Sequence, residues 1–344
     1  MHIQTVILGL FLSFLTVNGQ ENAFKIHTIA FYNLENLFDT INNPETHDEL
    51  SPIMKLKFDR QKAYKNKIAH LAHVIADIGF KETNNTPSLL GVCEAENRAV
   101  LEDLVKTPEL VDKSYGIIHY DSPDYRGIDV ALLYQKELFN PLETSTYTLK
   151  IYDEDNQRIY TRDQLLVSGY LEHDFMHIIV NHWPSRRGGK SESKRVAAAR
   201  LTKHITDSLQ QNNPDAKILI MGDFNDNPTD KSIYHILNVT GHKEKVALDT
   251  FYNPYMKLYK KGLGTTAYRD SWSLFDQIMM TSPYIKSSSN SFRFYKAGVF
   301  NKKFLITKKG RYKGYPFRSW KNERFSGGYS DHFPVYIYLI KPII

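Results

Sequence analysis

The twelve residues from Lys217 to Pro228, KILIMGDFNDNP, constrain the fold more than any other stretch of the chain. Ile218 to Met221 has the length and composition of a buried strand. It ends in Gly222, followed by Asp223, Phe224 and Asn225. In open α/β sheets ligands bind beyond the carboxyl ends of such strands. Residues two apart on an extended chain point to the same side, so Asp223 and Asn225 share a direction. A carboxylate can take a proton or orient a water, and a carboxamide can donate to an anionic oxygen without adding charge. That pair suits attack of water on a phosphate. Gly, Asp and Asn also serve plain turns, so the rest of the chain has to decide.

The same arrangement recurs. Ile26–Tyr32 runs into Asn33 and Glu35, Leu89–Cys93 into Glu94, and Met176–Val180 into Asn181 and His182. Asp276 lies inside Leu274–Met280, and Asp331 and His332 precede Phe333–Ile340. Each polar residue alone could be a turn, a cap or a hydrogen-bonded core group. Together they place polar groups repeatedly where burial is costly. Helical faces alternate with these runs: Tyr64, Ile68, Leu71, Ile75 and Ile78, then Val100, Leu101, Leu104 and Val105, then Ala198, Leu201, Ile205 and Leu209. This alternation predicts one α/β domain with large loops at one edge. Residues 251–270, rich in Tyr, Lys and Gly, read as a surface excursion.

An apolar content of 42% over 344 residues supports a large core and argues against wholesale disorder. Residues 1–20 carry no Asp, Glu, Lys or Arg, and Val6–Val17 is apolar but too short to span a bilayer comfortably. They read as a signal peptide, leaving a domain over 22–344 and an expectation of a secreted or periplasmic protein with no later membrane span. The one cysteine, Cys93, excludes an intramolecular disulfide. A net charge of +6 favours anionic partners.

In order, NLE, GVCE, NHWPSR, GDFND, FDQI and SDHFPV resemble the endonuclease/exonuclease/phosphatase superfamily over about residues 26–340, in the form found in its secreted bacterial branch. The resemblance implies a four-layer αββα sandwich of two packed mixed β-sheets with outer helices and a site at one edge. It implies Mg²⁺, or Mn²⁺ or Ca²⁺, on Glu94, with Asn33, Glu35 and Asp331 completing or orienting the metal site. The alternative Glu96, two residues on, stays open. It implies that Asp223 activates water, Asn225 holds a phosphate oxygen, and His332 contacts the scissile phosphate with Asp276 fixing its tautomer. His182 is then a second phosphate contact or proton donor. Arg126, Arg186, Arg187 and Arg318 are candidate substrate contacts.

Phosphodiester hydrolysis needs an in-line water, a base and charge compensation on the phosphoryl oxygens, and these residue types supply them. Between Lys296 and Arg324 there are ten Lys or Arg and one acid, interleaved with Tyr312, Tyr315, Phe317 and Trp320. Such a mixture can stack bases and hold phosphates. The expectation is a metal-dependent phosphodiesterase acting on nucleic acid, with no protein partner implied. The rivals are the same chemistry on a lipid or small phosphate ester, and a silent binding protein of the same fold.

Overall fold

The computed structural model describes residues 24–187, 191–286 and 290–343. The expected signal peptide, and Gly188–Lys190 of the loop after His182, lie outside the described residues. Two mixed sheets form the centre. The first uses β1 (Phe24–Leu37), β2 (Leu89–Ala95), β3 (Tyr115–His119) and β4 (Asp129–Gln135). The second uses β5 (Phe139–Tyr147), β6 (Gln164–Leu171), β7 (Asp174–His182), β8 (Ile218–Asp223), β9 (Val239–Thr240), β10 (Phe251–Tyr252) and β11 (Asp276–Met280). The chain then returns to the first sheet with β12 (Arg293–Val299) and β13 (Val335–Pro342). The strand orders are β12-β13-β1-β2-β4-β3 and β9-β10-β11-β8-β7-β6-β5. Helices α1 (Arg60–Asp77), α2 (Arg98–Val105) and α3 (Ser191–Asn212) complete the four layers.

Alternation along β8 shows how the layers are specified. Leu219 and Met221 join the core between the sheets, whereas Ile218 and Ile220 pack with Ala198, Ala199 and Ile205 of α3. A strand covered on both faces must be apolar throughout, which is why ILIM reads as one run. Gly222 has a local reason: a Cβ there would meet the Asn181 carbonyl oxygen at 2.4 Å. In α1, Tyr64, Ile68, Leu71 and Ile75 are buried, as their spacing requires.

Topology explains the recurring polar residues. β1 runs parallel to β2, and β7 parallel to β8, so Asn33, Glu94, His182 and Asp223 stand at carboxyl ends. β11 and β13 run antiparallel to those central strands, so their amino ends bring Asp276 and His332 to the same edge. In register, Asp223 is paired with both His182 and Asp276.

One expectation needs correcting. Residues 251–270 are not simply a surface excursion. Phe251, Tyr252 and Tyr255 are buried, and Tyr255 Oη donates to the Tyr336 carbonyl at 3.0 Å. Among the described residues no helix is long and apolar enough to cross a membrane.

Candidate active site

The site is built where both sheets end, and the backbone there is bent to aim side chains. β1 and β2 lose register between Asn33 and Leu37, and β2 and β4 between Cys93 and Ala95. Glu94 (φ 61°) sits in this irregularity, with Glu35, Asn36 and Asn225 also in the left-handed region. Bulges and left-handed non-glycine residues re-aim side chains at functional sites. Glu94 Oε1 accepts from Asn33 Nδ2 at 3.3 Å, and Oε2 from the Asn36 N–H at 2.8 Å.

Asp223 is the hub. Its Oδ2 accepts from Asn33 Nδ2 at 3.0 Å, and its Oδ1 from the Asn225 N–H at 3.0 Å. His182 Nε2 lies 3.8 Å and His332 Nε2 3.9 Å from Asp223 Oδ2. His332 Nδ1 is 2.7 Å from Asp276 Oδ2. The loop before it is fixed by Ser330, whose Oγ donates to the Asn33 carbonyl and accepts the His332 N–H. Asn225 Nδ2 donates to the Trp183 carbonyl at 3.0 Å, leaving its second amide hydrogen for another acceptor.

The two histidines differ electrostatically. Burial lowers the pKa of each, but at His332 the carboxylates of Asp276 and Asp223 outweigh it and raise the pKa well above the ordinary value. His182 is pushed well below by burial, with Arg162, Arg126 and His332 adding to the effect. His332 is therefore held as an imidazolium and His182 as a neutral ring, suited to contact a phosphate rather than to supply a proton. Burial pushes the Asp223 carboxyl up to about 7, with Asp276 adding and His332 opposing.

The remaining expected residues divide. Glu35 is not brought to this cluster as a free carboxylate: its oxygens accept the N–H groups of Ser319 and Trp320. Asp331 sits at the rim, its Oδ2 accepting from Arg318 Nη2 at 2.9 Å. Arg186 clamps the Asn225 loop, through the Asn225 carbonyl at 2.8 Å and through Asp226 and Asp230. Arg126 lies 3.8 Å from Asp124, and Arg187 is exposed beside the residues outside the description. Glu96, the alternative to Glu94, accepts the Asp39 N–H at 2.7 Å.

Burial raises Glu96 from 4.5 to about 8, with the Asp39 N–H opposing and the charges of Asp39 and Asp48 adding. A carboxyl whose folded pKa exceeds its unfolded value stabilises the fold fully below the lower value, and this is lost as pH rises through the upper one. Glu96→Gln is expected to flatten stability between pH 4.5 and 8 and to raise the melting temperature at the upper end. Melting curves across that window check it, and an unchanged profile would refute it.

Sequence reasoning missed Arg162. It is buried, and its guanidinium donates to the His182 and Trp183 carbonyls at 3.2 and 2.7 Å and to Asp124 at 3.0 Å. No motif marks it. Arg162→Lys cannot reproduce three fork-like bonds and is expected to cost about 1–3 kcal/mol in denaturant unfolding. A loss below the error of that measurement would contradict the assignment.

The sequence model of the endonuclease/exonuclease/phosphatase family matches residues 28–341. The chain belongs to that family. Solved structures with the same fold include a family member from Bacteroides thetaiotaomicron, at 17% identity, 94% of this chain, 97% of that one and TM-score 0.55. A mannosyl-6-phosphatase of the same organism is 18% identical, covering 91% and 99% with TM-score 0.54. D. rerio TDP2 complexed with single-strand DNA product is 14% identical, covering 91% and 98% with TM-score 0.54. No curated protein matches the chain.

The family is divalent-metal dependent, and the residues present fit such an ion. The carboxylates of Glu94 and Asp223 stand on either side of one carboxamide, Asn33 Nδ2, at 3.3 and 3.0 Å. Glu94 is the more accessible carboxylate, with 15% of its side chain exposed against 2% for Asp223, and Asn33 stands beside it. Hard oxygen donors of this kind suit Mg²⁺, Mn²⁺ or Ca²⁺.

Proposed function

We propose that this protein is a divalent-metal-dependent phosphodiesterase acting on nucleic acid, with Mg²⁺ as the working ion. The observation that carries the phosphoesterase reading is the Asp223–His332–Asp276 arrangement: a carboxyl near neutrality beside an imidazolium fixed by a second carboxylate. Asp223 orients the attacking water and takes its proton. His332 donates through Nε2 to a phosphoryl oxygen, compensating charge that grows in the transition state. Asn225 and neutral His182 contact further phosphoryl oxygens. Glu94, with Asn33 alongside, would hold the divalent metal, which would supply Lewis-acid polarisation of the phosphate.

The nucleic-acid reading rests on a cleft of about 660 Å³ next to Asp331. Two hairpins, Thr266–Ser273 and Trp320–Phe325, form its walls. Both turn through two left-handed residues, Arg269-Asp270 and Asn322-Glu323, as two-residue hairpins require. Lys55, Arg269, Arg311, Arg318 and Lys321 line it against Asp270, Glu323 and Asp331. Tyr268 and Tyr312 are exposed there. Cations beside exposed aromatic faces suit a phosphate backbone with stacked bases. TDP2 binds a single-strand DNA product, whereas another relative in fold is a mannosyl-6-phosphatase, so the cleft rather than the fold favours nucleic acid.

Hydrolysis by the purified protein tests this. The substrates are supercoiled plasmid, single-stranded DNA and RNA, a sugar phosphomonoester and sphingomyelin vesicles, each with Mg²⁺, Mn²⁺ or EDTA. Metal-dependent strand cleavage abolished by His332→Ala supports the reading. Turnover of only the monoester or the lipid would move the substrate and keep the site. Metal binding without any turnover would contradict the catalytic reading. We further propose export, from Val6–Val17. An extracellular or periplasmic product lacking residues 1–20 is expected, and an intact cytoplasmic one refutes it.

A further inference from the structure

Cys93 stands directly before Glu94 on β2 and points between the sheets to the floor of the site. We infer that Cys93, His182 and Asp223 form a second, soft-metal site at which Zn²⁺ inhibits the enzyme. The inhibitory consequence rests on the function proposed above; the binding does not.

Each residue offers one donor atom, and the three lie within 4.8 Å of one another. Sulfur, imidazole nitrogen and carboxylate oxygen form a donor set that Zn²⁺ takes tetrahedrally. Zn–S is about 2.3 Å and Zn–N and Zn–O about 2.0–2.2 Å, so donor atoms around the ion lie roughly 3.3–3.6 Å apart. The three donors therefore have to draw closer around the ion. His182 Nε2 lies 3.8 Å from Asp223 Oδ2, and its Nδ1 is buried with no hydrogen-bond partner among the described residues. A ring nitrogen buried without a partner is costly, and a metal on the ring would fix its orientation.

The donor chemistry separates the two ions. Mg²⁺ demands oxygen ligands and avoids thiolate, whereas thiolate and imidazole select Zn²⁺. The working metal belongs at Glu94, the more accessible carboxylate, and the soft metal at the buried floor. Binding there transfers the thiol proton to solvent and engages the Asp223 carboxylate needed to activate water, together with His182. Rising zinc therefore stops turnover.

Co²⁺ is the probe. As Cys93 is the sole cysteine in the chain, a sulfur-to-cobalt charge-transfer band can arise from no other residue. The full-length protein is titrated with Co²⁺ beside Cys93→Val and Cys93→Ala, with folding checked by circular dichroism. The band is expected in the wild type and absent from both variants. In the Mg²⁺-dependent assay both variants are expected to keep their activity without zinc. The Zn²⁺ concentration for half inhibition is expected to rise about tenfold or more. Absence of the band in the wild type would overturn the site even if neither variant folds. Equal zinc sensitivity in a folded Cys93→Val would overturn the inhibition. Should the protein hydrolyse nothing, the cobalt spectrum still decides the binding.

Discussion

Asp223→Asn is expected to lower turnover by about 10²–10⁴-fold, the usual contribution of a positioned general base, with the melting temperature little changed. The introduced amide keeps the shape of the side chain. It can still accept the Asn225 N–H that Asp223 now accepts at 3.0 Å, but its NH₂ then faces Asn33 Nδ2, at the present 3.0 Å contact. One lost neutral hydrogen bond costs about 1 kcal/mol. Against this, the substitution removes an ionisable group so unfavourably buried that its pKa reaches about 7. What it cannot do is take a proton from water. His332 should also respond, because Asp223 is one of the carboxylates holding it charged. Turnover at saturating metal, with thermal melts beside it, checks the prediction. Activity within about tenfold of wild type would mean that Asp223 is not the base.

What the sequence disclosed followed from burial. β2 and β8 are covered on both faces and read as uninterrupted apolar runs, so the polar residue ending each stood out. The four-layer architecture agrees with the expectation drawn from the motifs. The edge strand β5 escaped because most of its residues are at least partly exposed and Pro141 interrupts it; edge strands carry little hydrophobic periodicity. Tyr255 escaped because its burial depends on β13, far along the chain. Arg162 lies in a Thr-Arg-Asp stretch that looks like solvated loop, and only the fold shows two carbonyls and an aspartate converging on it. Glu35 is the clearest limit. The family resemblance implied a place completing or orienting the metal site, but the backbone groups it holds lie 284 and 285 residues away.

Glu35 and Lys67 form the buried post on which the segment carrying Arg318 and Trp320 rests, and single substitutions there are expected to cost about 1–3 kcal/mol. Glu35 accepts from Ser319 and Trp320, and its carbonyl accepts from Trp320 Nε1 at 3.2 Å. Lys67, fully buried on α1, donates to Ser319 Oγ at 2.7 Å and stands 5.9 Å from the Trp320 ring centroid. Burial raises Glu35 to about 8 and lowers Lys67 to about 8, each partly restrained by the other's charge. Removing one partner leaves the other buried without compensation, whereas removing both relieves each desolvation. Glu35→Gln and Lys67→Met should therefore each destabilise strongly, and the double variant by less than their sum, with a coupling above about 1 kcal/mol. Because Arg318 pairs with Asp331 beside His332, kcat/KM should fall in both single variants. Metal titration separates this anchoring role from ligation. If Glu35 is an anchor, Glu35→Gln lowers stability and leaves metal affinity within about twofold, well short of the 10–100-fold loss typical even of residues that only support ligands. If it binds the ion directly, affinity collapses at near-normal stability, and Lys67→Met fails to reproduce the effect.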